Sequence, residues 1–526
     1  MSMSETNVPS GAPRATLKQW IGLLIIALPC IVYAMDLTVL NLAIPRLSAD
    51  LKPSGSELLW IIDIYGFMVA GMLITMGTLG DRIGRRKLLM IGAAFFAITS
   101  LIAAYSTSAT MLIAARALLG LAGATVAPST LSLIRNMFAD ESQRTFAIGI
   151  WITSYSVGGA IGPLVGGALL DYYSWQSVFL VSIPVMVLLL ITAPFLLPEY
   201  KDPEPGKLDL ISALQSIIAI LSIIFGCKKI AEEGLTGQAF VSIIIGVVFI
   251  IFFVKRQNRL TTPLIDLKLF RISRFNISLL AYMMGAFISF GVSIFLSQYL
   301  QLVLGLSPLH AGLWMLPWTL GFIVGALLTP VLTKRINPVH LMSAGFILGG
   351  IGYFFIMQIE NMPPLTAMVI GSLITSVSMA PIFTLTTDFI LSSAPPEKTG
   401  AASAMSETSA EMGGALGIAI LGSIGTAVYR IGIGRALEGR VPPASIETAK
   451  DTLGAALEES ARLSDNELIS TIAKQHFVDA LQSTLLTCVI IAIALAIIIY
   501  LKLGRPGNQR PMEQQPGQIP VSTAEV

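Results

Sequence analysis

The chain has 526 residues, of which 54% are hydrophobic and only 12% charged, and its net charge is +2. Soluble domains carry about 25% charged residues, so this composition excludes a fold dissolved in water and makes the bilayer the solvent. The small net charge gives no basic face for nucleic acid, and the three cysteines, Cys30, Cys227 and Cys488, form neither a CxxC pair nor a metal spacing.

A helix that crosses the hydrocarbon needs about 20 mostly apolar residues. That ruler predicts an all-α integral membrane protein with fourteen spans, near 20–44, 58–79, 88–105, 110–133, 146–170, 176–197, 208–228, 238–254, 275–303, 312–333, 340–358, 364–391, 400–429 and 480–502. The seventh and eighth have weakly marked flanks. Residues 1–17 are polar, and the apolar run behind them is too long for a cleavable signal. With both termini inside, the inner loops hold Arg82–Lys87, Arg135 and Arg144, Lys201 and Lys207, Lys255 to Arg274, Lys334 and Arg335, and Lys398. The outer loops carry few cations, which satisfies the positive-inside rule.

The predicted spans divide into an inner N-terminal segment (1–17), a six-helix bundle (18–198), an insert of two helices with a basic linker (199–274), a second six-helix bundle (275–505) and a tail (506–526). Pro203-Glu204-Pro205 and the basic run Lys255 to Arg274 flank the insert, and Gln, Pro and Gly in the tail predict disorder. Two related halves with a site between them are a common transporter plan. The halves match weakly here: Asp81-Arg82-Ile83-Gly84 corresponds to Lys334-Arg335-Ile336-Asn337, which lacks the acid. The stretch 430–479 is long and polar, with amphipathic pieces at Ala455–Leu463 and Leu468–Leu481. Loops of this length are functional or disordered, and a helical hairpin over the external mouth is expected.

Charge inside the spans selects the candidate site, because ionisable groups in hydrocarbon are costly. They are Asp36 in the first helix, Asp63 in the second, Arg116 in the fourth, and Glu407 and Glu411 in the thirteenth. Glu407 and Glu411 are one turn apart and share a face. Two such carboxylates repel each other at low dielectric, so at least one is expected to carry a proton. Asp388, near the inner end of the twelfth helix, is expected to reach water. The turn from Gly77 to Lys87 packs Gly77, Gly80, Asp81, Arg82, Gly84, Arg85 and Arg86 between two spans. An anchor to the inner face needs the cations but not these glycines and this acid. In the fifth helix Gly158, Gly162 and Gly166 repeat every fourth residue, with Pro163 and Gly167 among them. That leaves one face bare for close packing, and the proline permits a bend.

The Gly77–Lys87 turn closely resembles the loop signature of the major facilitator superfamily, in which the acid and arginines latch one transport state. The Gly-x-x-x-Gly-Pro-x-x-Gly-Gly order at Gly158–Gly167 looks like the antiporter signature of the same superfamily. Asp36–Pro45 and Arg116-x-x-x-Gly120 resemble the first- and fourth-helix signatures of its fourteen-helix drug:proton antiporter branch, over roughly residues 18–505. Within that branch, Leu59–Tyr65, Leu306-Ser307-Pro308, Ala311-Gly312 and Leu316-Pro317 are most similar to bacterial pumps for quaternary ammonium compounds and methyl viologen. The resemblance implies a monomeric, cofactor-free, metal-free, proton-coupled exporter of lipophilic cations in the bacterial cytoplasmic membrane, not an enzyme. It implies that Asp36, Asp63, Glu407 and Glu411 serve protonation and cation recognition, and that Arg116 serves proton transfer. Some relatives place an aspartate near Phe322, and this chain has none. A lipophilic cation suits a cavity with aromatic faces, for which Trp60, Tyr65, Trp151, Tyr155, Trp314, Met315 and Trp318 are candidates. An exporter of another amphipathic metabolite or a siderophore, and more remotely a membrane sensor or enzyme, are the rival readings.

Overall fold

Backbone polar groups in hydrocarbon find partners only in helices or closed barrels, and every regular element among the described residues is helical. The computed structural model describes residues 14–504, except 54, 202–208, 234–235, 261–262, 264, 266, 307, 396–397 and 463–466. Pro203-Glu204-Pro205, the tail 506–526 and most of segment 1–17 therefore lie outside the described residues.

The N-terminal half consists of α1 (Leu17–Leu51), α2 (Gly55–Ile83), α3 (Arg85–Ala104), α4 (Ala109–Gly123) continued by α5 (Val126–Met137), α6 (Glu141–Tyr172), and α7 (Ser177–Leu180) followed by α8 (Ser182–Leu196). An antiparallel pair follows, α9 (Leu210–Glu233) and α10 (Gly237–Gln257). The C-terminal half holds α11 (Ser273–Gln298), α12 (Pro308–Leu332), α13 (Pro338–Ile356), α14 (Pro364–Ser392), α15 (Thr399–Leu437), α16 (Pro443–Asp451), α17 (Leu453–Arg462) and α18 (Glu467–Leu503).

Among the described residues, thirteen stretches are long and apolar enough to cross a membrane. The expected seventh span differs: its apolar stretch is shorter, Ile211–Cys227, because Lys228 and Lys229 follow. Helix α9 as a whole still has 24 residues, or about 36 Å at 1.5 Å per residue.

Two large apolar cores form, one within α1–α8 and one within α11–α18. A third lies where α9 meets both halves, with Phe67 and Ile74 of α2, Ile220 and Ile224 of α9, Phe275 of α11 and Met405 of α15. Helix α9 thus packs on α2 and α15, while α10 packs on α9 and turns Val241, Ile244, Ile245, Val248 and Phe252 outward. Such an unpartnered apolar face is what a bilayer covers.

The 430–479 stretch is largely helical. Helices α15 and α18, at 39 and 37 residues, run on beyond what a bilayer needs, and α16 and α17 pack on their projecting ends. Ala449, Leu453, Ala456, Ile469 and Ala473 continue the C-terminal core into this outer part. The Tyr429 hydroxyl donates to the Ala449 carbonyl at 3.0 Å.

Candidate functional site

Asp36 and Arg116 meet in the N-terminal half, 6% and 1% exposed. Arg116 Nη1 lies 2.9 Å from Asp36 Oδ2. The same guanidinium donates through Nε to the Ile61 carbonyl at 2.9 Å and through Nη2 to the Ile62 carbonyl at 3.3 Å. It also lies over the Tyr65 ring, 5.0 Å from the centroid. One arginine therefore ties α1, α2 and α4 together. Gly120 explains its reach. One turn after Arg116, it faces the same stretch of α2, where a Cβ would fall 2.5 Å from the Tyr65 carbonyl oxygen. The Arg-x-x-x-Gly spacing is thus a geometric requirement: the glycine brings α4 close enough for the arginine to reach main-chain carbonyls. The side chains of Asp63 and Pro163 lie outside the described residues, as does the environment of Gly167.

An aromatic group surrounds this pair. Tyr33 is 6.0 Å from Tyr65 and 5.5 Å from Tyr155, ring to ring. Tyr155 is 4.7 Å from Trp151, whose indole N–H donates to Thr130 Oγ1 at 2.9 Å. The other aromatic candidates lie elsewhere. Trp60 is 43% exposed and packs edge-on against Phe67, Trp314 is exposed, and Met315 and Trp318 rest on the C-terminal core. Sequence reasoning passed over Tyr33, although it sits three residues before Asp36 and so shares its face of α1.

In the C-terminal half, Glu407 Oε1 accepts a hydrogen bond from the Tyr282 hydroxyl at 3.0 Å. Tyr282 stands edge-on to Phe383, and Phe383 to Phe322, at 5.2 and 5.6 Å. Phe322 therefore belongs to an aromatic row. Glu411 is exposed one turn further along α15.

The halves meet at one end of the molecule, around the charged turn. Helices α2 and α15 cross at Gly77 and Gly400, where a Cβ on Gly77 would fall 2.5 Å from the Gly400 carbonyl oxygen. Buried Asp81 pairs with Arg85 at 2.8 Å and accepts hydrogen bonds from the Gly400 and Ala401 amides at 3.0 and 3.1 Å. Those amides belong to the first turn of α15, the positive end of its dipole. Ser132 and Thr399 hydrogen bond across the same seam at 2.6 Å. Asp388, expected to reach water, is instead 2% exposed and paired with Arg144 at 2.7 Å. Its helix end faces the other half rather than solvent. Arg86 has a different partner, Glu199, whose carboxylate also accepts from the Arg86 and Lys87 amides at 3.0 and 3.1 Å. Gly84, at φ +109°, makes this turn. Gly80 packs on Leu88, and Arg82 is half-buried at the end of α2. On α6, Gly158 and Gly162 face Ile31 and Thr38 of α1 with no room for a Cβ, and Gly166 is buried.

Two helical halves meeting at a glycine-lined seam, with ionisable groups and aromatic rings inside the spans, fit a membrane transporter. Residues 26–418 match the Major Facilitator Superfamily, and the chain belongs to that superfamily. It is 40% identical to the multidrug efflux pump LfrA of Mycolicibacterium smegmatis, over 88% of this chain and 91% of that protein. It is 36% identical to the methyl viologen resistance protein SmvA of Salmonella typhimurium, over 77% of this chain and 82% of that one. The crystal structure of the human organic anion transporter MFSD10 (TETRAN) shares the fold, with a TM-score of 0.58 at 12% identity, covering 91% of this chain and 98% of that one.

Two outcomes follow from this geometry. Replacing Arg116 by Ala strands a buried carboxylate, a change that costs about 3–5 kcal/mol. The purified Arg116→Ala protein should melt well below the parent, and adding Asp36→Asn should recover part of the loss; an unchanged melting curve would mean that the pair contributes nothing to folding. At the seam, the native cysteines are all buried, so Ser132→Cys gives a lone reporter. A polar maleimide should label it slowly in the parent and about tenfold faster with Asp388→Asn, equivalent to about 1.4 kcal/mol in favour of opening.

Proposed function

We propose that this protein is a proton-coupled multidrug efflux antiporter that exports lipophilic cations, such as quaternary ammonium antiseptics, dyes and methyl viologen, by alternating access. It works as a monomer in the bacterial cytoplasmic membrane with both termini inside. The observation that carries this reading is acids held inside the spans beside aromatic rings: Asp36 paired with Arg116, which lies over Tyr65, and Glu407 accepting from Tyr282. A lipophilic cation offers little to hydrogen bond and much apolar surface. Rings and carboxylates together suit it, and a cation over an aromatic face gains about 0.5–2 kcal/mol. Similarity to a multidrug efflux pump and a methyl viologen resistance protein supports the same substrate class.

The cycle is a competition. A carboxyl that holds a proton cannot hold a cation. Protons arriving from outside neutralise the acids and release the substrate; loss of protons to the cytoplasm restores the charge. Asp36 and Asp63 share this work with Glu407 and Glu411, while Arg116 holds the Asp36 charge in place. With the charged turn on the cytoplasmic side, the seam at Gly77 and Gly400 closes that face. Opening it takes Asp81 off the first turn of α15 and parts Arg144 from Asp388. The bundles 18–198 and 275–505 then rock about the bound cation, α6 bending at its glycines and Pro163 against α1.

The sign of the pH dependence follows. A bound proton excludes the cation, so apparent affinity falls as pH falls, by about tenfold per unit for each proton displaced. Ethidium binding to the purified protein across a pH series measures this. In proteoliposomes with an imposed pH gradient, Asp36→Asn and Glu407→Gln should each cut cation transport by about tenfold or more, at least 1.4 kcal/mol of lost coupling. An Asp36→Asn variant that still drives cation export with the gradient overturns this assignment. Transport of uncharged or anionic amphiphiles in place of cations would favour a metabolite exporter.

A further inference from the structure

The outer end of α10 on the charged-turn face carries a second, unrelated site. A cavity of about 380 Å³ is lined by Gln215 of α9 and by Phe252, Lys255, Arg256, Arg259 and Leu260. Three of its six lining residues are cationic and none is acidic. Arg256 is already committed: it holds Asp209 through two hydrogen bonds, at 2.7 and 2.9 Å, which clamps the start of α9 to the end of α10. Lys255 and Arg259 add positive charge to the same cavity. The Gln215 amide oxygen is buried there without a hydrogen-bond partner. Directly beside the cavity, the outward face of α10 is a continuous apolar strip through Val248, Ile251 and Phe252.

Each feature restricts the occupant. The apolar strip places the cavity at the edge of the hydrocarbon, at headgroup depth. Lys255 and Arg259 need a negative charge at that depth, and the orphaned amide needs a partner with hydrogen-bonding capacity next to that charge. Phe252 and Leu260 supply an apolar wall continuous with the acyl-chain region. Basic pockets between membrane helices on the cytoplasmic side suit anionic lipid headgroups. We propose that this cavity binds an anionic phosphoglycerol headgroup of a membrane lipid: its phosphate between Lys255 and Arg259, a glycerol hydroxyl toward Gln215, and its acyl chains along α10. The site does not depend on which substrate the transporter carries. It sits on the hairpin whose α9 packs on both α2 and α15, so a bound lipid steadies the element that touches both halves.

Native mass spectrometry of the delipidated full-length protein, titrated with phosphatidylglycerol or phosphatidylcholine, tests the assignment. The parent should retain phosphatidylglycerol in preference, and Lys255→Gln with Arg259→Gln should weaken that retention about tenfold or more. Lys201→Gln, an exposed cation away from the cavity, is the control and should retain the lipid like the parent. Equal retention by the double variant and the parent overturns the proposal, as does equal retention of phosphatidylcholine. Free glycerol 3-phosphate is the competing arm. If it displaces the lipid at millimolar concentration, the site recognises a soluble phosphate ester and the lipid assignment fails.

Discussion

The structure depends on one constraint: a charge inside the bilayer must bring its own partners. Arg116 shows how completely this is met. Its guanidinium spends one nitrogen on Asp36 and two on the Ile61 and Ile62 carbonyls, and its face rests on Tyr65. Those carbonyls already sit in the ladder of α2, so the arginine uses their second lone pairs and costs the helix nothing. Breaking a buried pair of this kind is far more costly than forming it is favourable. The arginine therefore ties α1, α2 and α4 together, through two main-chain carbonyls as well as through Asp36.

The opposite design governs the seam between the halves. Its contacts are between main chains at Gly77 and Gly400, and between Asp81 and two amides of a helix end. Where α2 and α15 cross, the backbones approach directly and the nearest side chain to Gly77 is the small Ala404. Asp81 keeps Arg85 when it leaves α15, because Arg85 sits one turn away on its own side. A contact built from backbone and retained counter-ions can be remade many times. That distinguishes it physically from the Arg116 anchor, although both depend on buried charge.

Much of this was legible in the sequence because the bilayer simplifies the code. Apolar runs of sufficient length gave the helices, and rare intramembrane charges gave Asp36, Arg116, Glu407 and Glu411. What stayed hidden depends on which helix lies opposite. Tyr282 carries no local pattern; only the packing of α11 on α15 brings its hydroxyl to Glu407. Asp388 read as solvated because it ends a helix, but that end abuts the other half. Glu199, just past α8, carries no local pattern either, and it lies against the first turn of α3 and takes two of its amides.

The position of α9 against α2 and α15 constrains how the halves can move. Its Ile220 and Ile224 share a core with Phe67 and Ile74 of α2 and with Met405 of α15, and Leu221 lies over Gly71. When α2 and α15 part, α9 cannot keep both surfaces. It must stay with one and slide along the other. The fit of Leu221 over Gly71 gives it a socket on α2. On the α15 side the same cluster holds Met405, with the small Ala410 and Ala415 packed against it. Flat, plastic packing of that kind shears more easily than a side chain seated over a glycine. The Asp209–Arg256 clamp ties α10 and its basic cavity to α9, so whatever constrains α9 constrains the cavity too.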